Sequence, residues 1–175
     1  MQTRHIRTKF NCRMNILLDD YFANEELMKQ MPFKKFSLVS LKEKPSPSEL
    51  NSKIITRRFR LNPESFDIPS LLKSYLEGKT IEWEERVLFN FKTQTGVFSI
   101  EPLGVPNIDK YFSCAGEVVF APFNHDQTER IMKVDVNVNT PFILKGTIEK
   151  MVLHEIWLMV HHEAEVVNND LTVKE

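Results

Sequence analysis

Glycine is scarce. The chain holds 5 glycines in 175 residues and they are scattered, so no Gly-rich loop is available to cradle a phosphate and no dinucleotide fingerprint is formed. Cysteine is scarcer: Cys12 and Cys114 lie far apart and fit no metal-ligand spacing. They read as two free buried thiols in a reducing compartment, which sets a cytoplasmic expectation. No apolar run reaches the ~18 residues of a membrane-spanning helix. Neither sign of charge is in excess, with Lys+Arg 23 against Asp+Glu 24. That balance removes the global basic field of a nucleic-acid binder and the acidic surplus of a disordered chain. A nucleophile elbow and an ordered Ser/His/Asp set are also missing. No cofactor, no metal and no nucleic acid is therefore expected.

What is present is a large apolar interior for one domain. Phe alone contributes 13 residues, and a chain of this length buries a core without disulfide staples. Whether that interior is filled or hollow is not decided by composition. The basic, acid-poor start "MQTRHIRTKF" has the composition of a transit peptide, but it lacks an apolar core and runs directly into a strand pattern, so it is read as part of the fold.

Period-two alternation marks the strands. Ile6, Thr8, Phe10, Cys12 and Met14 alternate with His5, Arg7, Lys9, Asn11 and Arg13, giving one apolar and one cationic face. "ILLDDYFANEELMKQM" predicts two short helices broken near Ala23 and Asn24, with Asn15 as cap of the first and Pro32 ending the second. Six further strands follow, with a small helix inserted at 67–77. From Thr147 to about Val167 apolar residues recur at helical spacing (Ile148, Met151, Val152, Ile156, Met159, Val160, Val167). No strand connection contains a long crossover helix, so the sheet is expected to be antiparallel. Only the last helix is long enough to cover its concave face, with Gly146 as the tight corner and Pro141 as the stop to strand pairing.

His154, His161 and His162 share that helix with Glu155 and Glu163, which raises a metal reading. A zinc-binding helix needs two His at i and i+4. Position 158 is Leu, so the histidines read as a solvated or helix-end group. The cationic face of the first strand and "TRRFR" at 56–60 read as a solvated outer face, with transient contact to an anionic membrane surface as the sharper possibility.

Two charges fall among apolar neighbours. Arg57 shares a face with Ile55, Phe59 and Leu61, and Glu85 shares one with Trp83, Val87 and Phe89. Unpaired burial costs several kcal/mol, so an Arg57–Glu85 pair is expected inside, either structural or orienting the polar end of a ligand.

The element order, with "SLLKSYLEGKTIEWEERV", "PLG" at 102–104, "AGEVVFAP" at 115–122 and "VNVNTPFILKGTIEKMVLHEI" at 136–156, resembles the START-like (SRPBCC, helix-grip) superfamily, in a little-characterised branch. The resemblance implies an α+β helix-grip fold, a curved seven-stranded antiparallel sheet around a long C-terminal helix, with a START-like domain over 1–168 and a polar tail over 169–175. It implies a cavity for an apolar ligand and carries over no catalytic residue. The expected function is binding or transport of a lipid-like molecule between helix and sheet. An enzyme of the same fold, such as a cyclase or hydrolase, and a protein-interaction domain are the alternatives. The expected walls are Arg57, Phe59, Trp83, Glu85, Phe98, Ile100, Phe120, Met132, Val134, Val152, Ile156 and Met159. The 67–77 insertion and the loops after the second and sixth strands are the expected entrance.

Overall fold

A computed structural model describes residues 1–22, 24–33, 36–61, 80–104, 110–139 and 142–173. Strand β1 (Gln2–Phe10) leads into a short α1 (Met14–Ile16) that continues as a π-helical turn (Leu17–Phe22), then α2 (Glu25–Gln30). Six strands follow: β2 (Phe36–Pro45), β3 (Ser52–Leu61), β4 (Glu82–Asn90), β5 (Thr95–Pro102), β6 (Phe112–Pro122) and β7 (Thr128–Val138). The last element is α3 (Phe142–Val173). The strands form one seven-stranded sheet in the order β1-β7-β6-β5-β4-β3-β2, antiparallel at every pairing. The expected curved antiparallel sheet with a long final helix is the fold found. The 67–77 insertion lies outside the described residues.

Period-two patterning translates directly into burial. Along β1, Ile6, Thr8 and Phe10 are buried while His5, Arg7 and Lys9 are exposed, and β7 alternates between buried and partly buried residues from Thr128 to Val138. Where the π-helical turn meets the sheet, three rings close one end of the core. Phe22 lies 5.5 Å from Phe89 and 5.3 Å from Phe120, and Phe89 and Phe120 are 5.6 Å apart, spacings at which tilted and edge-on rings attract.

The short helices differ from expectation only at their caps. Asn15 lies inside α1, whose N-cap is Arg13 without a side-chain cap bond. Asn24 caps α2, its side chain accepting from the Leu27 amide at 3.0 Å, and α2 stops at Met31, just before Pro32.

The final helix is longer at both ends than its apolar periodicity indicates, and Gly146 is no corner. It lies inside α3, which starts at Phe142. Polar bonds anchor the first turns to the end of β7 and thereby fix the early start. Lys145 Nζ donates to Asn137 Oδ1 at 3.2 Å, and buried Glu149 accepts from the Val138 amide at 3.0 Å. That amide bond holds the Glu149 carboxyl below its ordinary range. At the far end, α3 runs on through 169–173, residues expected as tail. Asn168 accepts from the Asn11 amide at 2.8 Å and donates to the Lys9 carbonyl at 3.0 Å, and Tyr21 donates to Asp170 at 2.8 Å. A helix bonded to its sheet at both termini does not fray where its apolar stripe ends.

Two glycines therefore make opposite predictions. A Cβ at Gly146 would meet nothing nearer than Gln2 Nε2 at 3.9 Å, so Gly146→Ala removes helix-interior glycine without a clash and stabilises by about 0.5–1 kcal/mol. A Cβ at Gly116 would lie 1.9 Å from the Lys133 carbonyl oxygen, so Gly116→Ala destabilises by about 1–3 kcal/mol or more. Urea denaturation of both variants checks the signs. A stabilised Gly116→Ala would show that β6 does not approach β7 in this way.

Candidate functional site

The register of the sheet sets Arg57 of β3 directly opposite Glu85 of β4, and Thr8 of β1 directly opposite Arg130 of β7. All of these face the concave side. The expected ion pair forms: Arg57 Nε donates to Glu85 Oε2 at 2.6 Å, and Nη2 approaches the same oxygen at 2.5 Å. It is half of a larger cluster. Glu163, reaching down from α3, accepts from Arg57 Nη1 at 2.9 Å through Oε1 and from Arg130 Nη1 at 2.5 Å through Oε2. Arg130 completes its bonding with Nε to Thr8 Oγ1 at 3.2 Å and Nη2 to the Val160 carbonyl at 3.0 Å. The order Glu85–Arg57–Glu163–Arg130 alternates in sign and sums to zero.

Burial alone drives the Glu163 carboxyl up, but the guanidiniums of Arg130 and Arg57 more than reverse this and hold it down at about 2. Burial likewise opposes the charge on Arg57, and Glu85 and Glu163 outweigh it, so its pKa is raised. Both residues stay charged throughout the neutral range. The guanidiniums also lie against rings, with Arg57 Cζ 5.3 Å from the Phe22 centroid and 5.4 Å from that of Phe59, and Arg130 Cζ 5.1 Å from Phe10.

Sequence reasoning found Arg57 and Glu85 and missed Glu163 and Arg130. The signals existed. Arg130 alternates in phase with inward Met132 and Val134. Glu163 lies four residues beyond Met159 and seven beyond Ile156, on the stripe that faces the sheet.

A cavity of about 50 Å³ adjoins the cluster, between α3 and the β2–β5 side of the sheet. Its walls include Arg57, Phe59, Trp83, Glu85, Ile100, Met132, Ile156 and Met159 from the expected set, joined by Phe36, Val160 and Glu163. The cavity lies there because α3 packs chiefly on β1 and β7, which leaves a wedge over the other half of the sheet. Rings close one flank: Phe59 and Trp83 stack at 5.5 Å, and Phe36 meets Phe59 edge-on at 5.3 Å. Trp83, Ile100, Met159, Val160 and Glu163 remain partly exposed, so the wedge reaches the surface. The other expected wall residues lie elsewhere. Phe98 lines a void of about 10 Å³ on the far side of Arg57, and Phe120 lines another of about 10 Å³ beside Arg130. Val134 is wholly buried, and Val152 packs against the core from a partly buried position.

The remaining chemistry-bearing groups are turned to structural use. Burial pushes the Cys12 thiol up to about 11 and the Cys114 thiol up to about 12, so neither is a thiolate near neutrality. His161 packs on Trp157 at 4.2 Å, with His154 stacked near the same indole at 6.2 Å. Among the described residues no group of His, Cys, Asp and Glu has the arrangement of a metal site, and no helix is long and apolar enough to cross a membrane. The cationic outer face is laced with acids. Arg58 and Arg60 both donate to Glu82, Arg60 at 2.9 Å, and Arg13 pairs with Asp126 at 3.2 Å. The turn after β6, expected as part of the entrance, is tied by that pair and by Gln127 donating to Asn11 at 3.0 Å.

Glu163 gives the site a pH signature. Its carboxyl is depressed in the folded state, so its contribution to stability is complete above about 4.5 and is lost as pH falls towards about 2. Glu163→Gln leaves two buried guanidiniums short of a countercharge and costs about 3–5 kcal/mol at neutral pH. The gap between variant and native protein should narrow as pH falls through that window. Urea unfolding at a series of acid pH values measures it, and a gap that stays constant would show that Glu163 is not the ionised bridge.

No family model matches the sequence, and no curated protein matches it. Solved structures do. A START superfamily protein from Mycobacterium smegmatis shares 11% identity over 99% of both chains with a TM-score of 0.53. The Zhui aromatase/cyclase from Streptomyces sp. R1128 shares 8% identity over 97% of this chain and 93% of its own, at 0.57. The norcoclaurine synthase of Thalictrum flavum shares 12% over 99% and 87%, at 0.53. Identities this low speak to architecture alone, and with the sheet order and final helix they establish that this chain has the START-like, helix-grip fold.

Proposed function

We propose that the protein binds a lipid-like or other elongated apolar molecule in the wedge between α3 and the β2–β5 side of the sheet. The observation that carries this reading is the apolar, ring-flanked cavity that reaches the surface at one side and ends on a buried, internally neutral charge cluster. Apolar walls with a few fixed polar groups are the general form of a small-molecule site. At about 50 Å³ the space is well below the ~300 Å³ of a drug-sized pocket, so a long ligand enters by displacing wall side chains. Met132 and Met159 on the wall suit that, because unbranched thioether chains repack readily.

Catalysis of the kind named for the cyclase and synthase neighbours draws less support from the described residues. A carboxyl held near 2 is a weak base at neutral pH, and both thiols are pushed away from reactivity. Transient contact of the outer β1 face with an anionic membrane would fit a carrier, but the acids beside Arg7 and Arg13 add nothing to it.

Met159→Trp fills the wedge from the helix side. Binding of an environment-sensitive fatty-chain fluorophore should fall by at least about tenfold, at a stability cost of about 1–3 kcal/mol from overpacking. Native mass spectrometry of gently purified protein should show a co-purified apolar molecule that the variant lacks. Undiminished fluorophore binding in the folded variant would place the site elsewhere.

A further inference from the structure

A second opening lies on the opposite, outer face of the sheet and plays no part in the site under α3. It is a groove of about 350 Å³ over β4, β5 and β6. Leu88, Val97 and Val119 give it apolar walls, Glu117 and Glu49 (from the loop after β2) give it carboxylates, and no Lys or Arg among the described residues lines it. Val97 is 53% exposed and Val119 36%, and Leu50, the residue after Glu49, is 88% exposed. Lys133, opposite Glu117 in the register, reaches instead to Asp135 at 3.7 Å, and among the described residues Glu117 forms no ion pair. An exposed apolar surface rimmed by charge marks a contact site. What fits this one is a large apolar side chain with cations beside it. The same face carries such a knob. Phe123, 49% exposed in the turn after β6, lies under Lys9, whose Nζ is 3.4 Å from the ring centroid. Arg7 is exposed on the same face of β1. Knob and groove sit at one end of the sheet, where β1 and β6 finish and β5 begins, with β7 between β1 and the groove.

We propose that the outer face is a self-association surface, on which a second copy of this chain seats its Phe123–Lys9 knob in the groove. The relative placement of the two features makes the contact reciprocal. A two-fold axis running between two outer faces, parallel to the strands, keeps the ends of the sheets together and exchanges their sides. Each knob then lies over the other copy's groove, and Lys9 and Arg7 approach the carboxylates of Glu49 and Glu117. A closed isologous dimer of this kind satisfies both surfaces of both copies, whereas a one-way contact leaves a knob and a groove free. Opposite charges across the interface fix its register and disfavour wrong partners. An anionic membrane is one such wrong partner: the cations of β1 attract it, but Glu49 and Glu117 on the same face repel it. The interior wedge lies on the other side of the sheet and stays open in the dimer, so this surface and the ligand site are independent.

Sedimentation equilibrium of the full chain, from micromolar to millimolar concentration at low salt, tests this with two charge-reversed variants. One carries Arg7→Glu and Lys9→Glu, the other Glu49→Lys and Glu117→Lys. The native protein should dimerise. Each variant alone should dimerise more weakly by on the order of tenfold or more, since every change acts twice in a two-fold interface. An equal mixture of the two should form a heterodimer tighter than either variant's own dimer, because reversed knob meets native groove-charge only in the homodimers and both contacts of the mixed pair are attractive. Val97→Asp should weaken the native dimer without touching the knob. A native protein that stays monomeric overturns the proposal and leaves the groove to a different partner. A dimer indifferent to Val97→Asp or to the charge reversals, or a mixture no tighter than its components, also overturns it. If a variant does not fold, amide NMR shifts of the native protein on dilution decide: changes at Arg7, Val97 and Val119 support the surface, and changes confined elsewhere overturn it.

Discussion

One carboxylate holds the two halves of the sheet to the helix. Glu163 accepts from Arg57 on β3 and from Arg130 on β7, strands that lie at opposite sides of the sheet order. Each arginine is itself fixed by a cross-strand neighbour, Glu85 for Arg57 and Thr8 for Arg130. The side chain of Glu163 thus closes a bridge across the concave face. Such a cluster is not an economical source of stability, since taking ions out of water costs several kcal/mol each and pairing only offsets it. It is a source of geometry. A helix held by apolar contact alone could rotate or slide by a turn with little penalty. With Glu163 displaced, Arg130 would lose its carboxylate and Arg57 would keep only Glu85, leaving a buried guanidinium without a countercharge, so one rotation and one register of α3 are selected.

The same constraint decides where the interior is full and where it is not. Polar bonds fix α3 to the end of β7 through Lys145 and Glu149, and to the end of β1 through Asn168. The helix is therefore committed to the β1–β7 side, where Val134 and Val136 have no exposed surface. On the other side the sheet continues through β5, β4, β3 and β2 with less helix over it. The space there is occupied by rings that touch at 5.3–6.3 Å and by methionines on the wall of the cavity. The cavity is a consequence of off-centre helix placement on a wide sheet.

Much of this was legible in the sequence. Period-two alternation set the faces of the strands, and the absence of crossover helices set their antiparallel sense. Arg57 and Glu85 were visible because each interrupts an apolar face in a strand whose other residues leave no doubt about direction. Arg130 and Glu163 carry the same signature in weaker form. Arg130 lies near the start of β7, where a charged residue is ordinarily a strand-end solvent contact. Glu163 sits among His161, His162 and Glu165, a polar stretch that reads as an outer face. The helix boundaries were misread for a related reason. Gly146 is a conventional stop signal, but the bonds of Lys145 and Glu149 to the end of β7 override the modest penalty of a glycine inside a helix. Cavity size was not legible at all, because it depends on how rings and methionines interlock across elements distant in sequence.

The division of labour inside the molecule bears on how such a site would open. A ligand that needed the cluster to dissociate would have to expose or strand charges whose mutual attraction keeps Glu163 ionised to about pH 2, and no apolar contact returns that cost. A ligand that displaces Met132, Met159 and the edge of Trp83 gives up packing contacts and replaces them with its own, an exchange close to even when volumes match. On the proposed reading the charged bridge would act as a fixed floor, and the thioether and indole side chains as the movable wall. Opening confined to the wedge leaves the seam between α3 and β1–β7 intact, so the fold need not loosen for the interior to admit a guest.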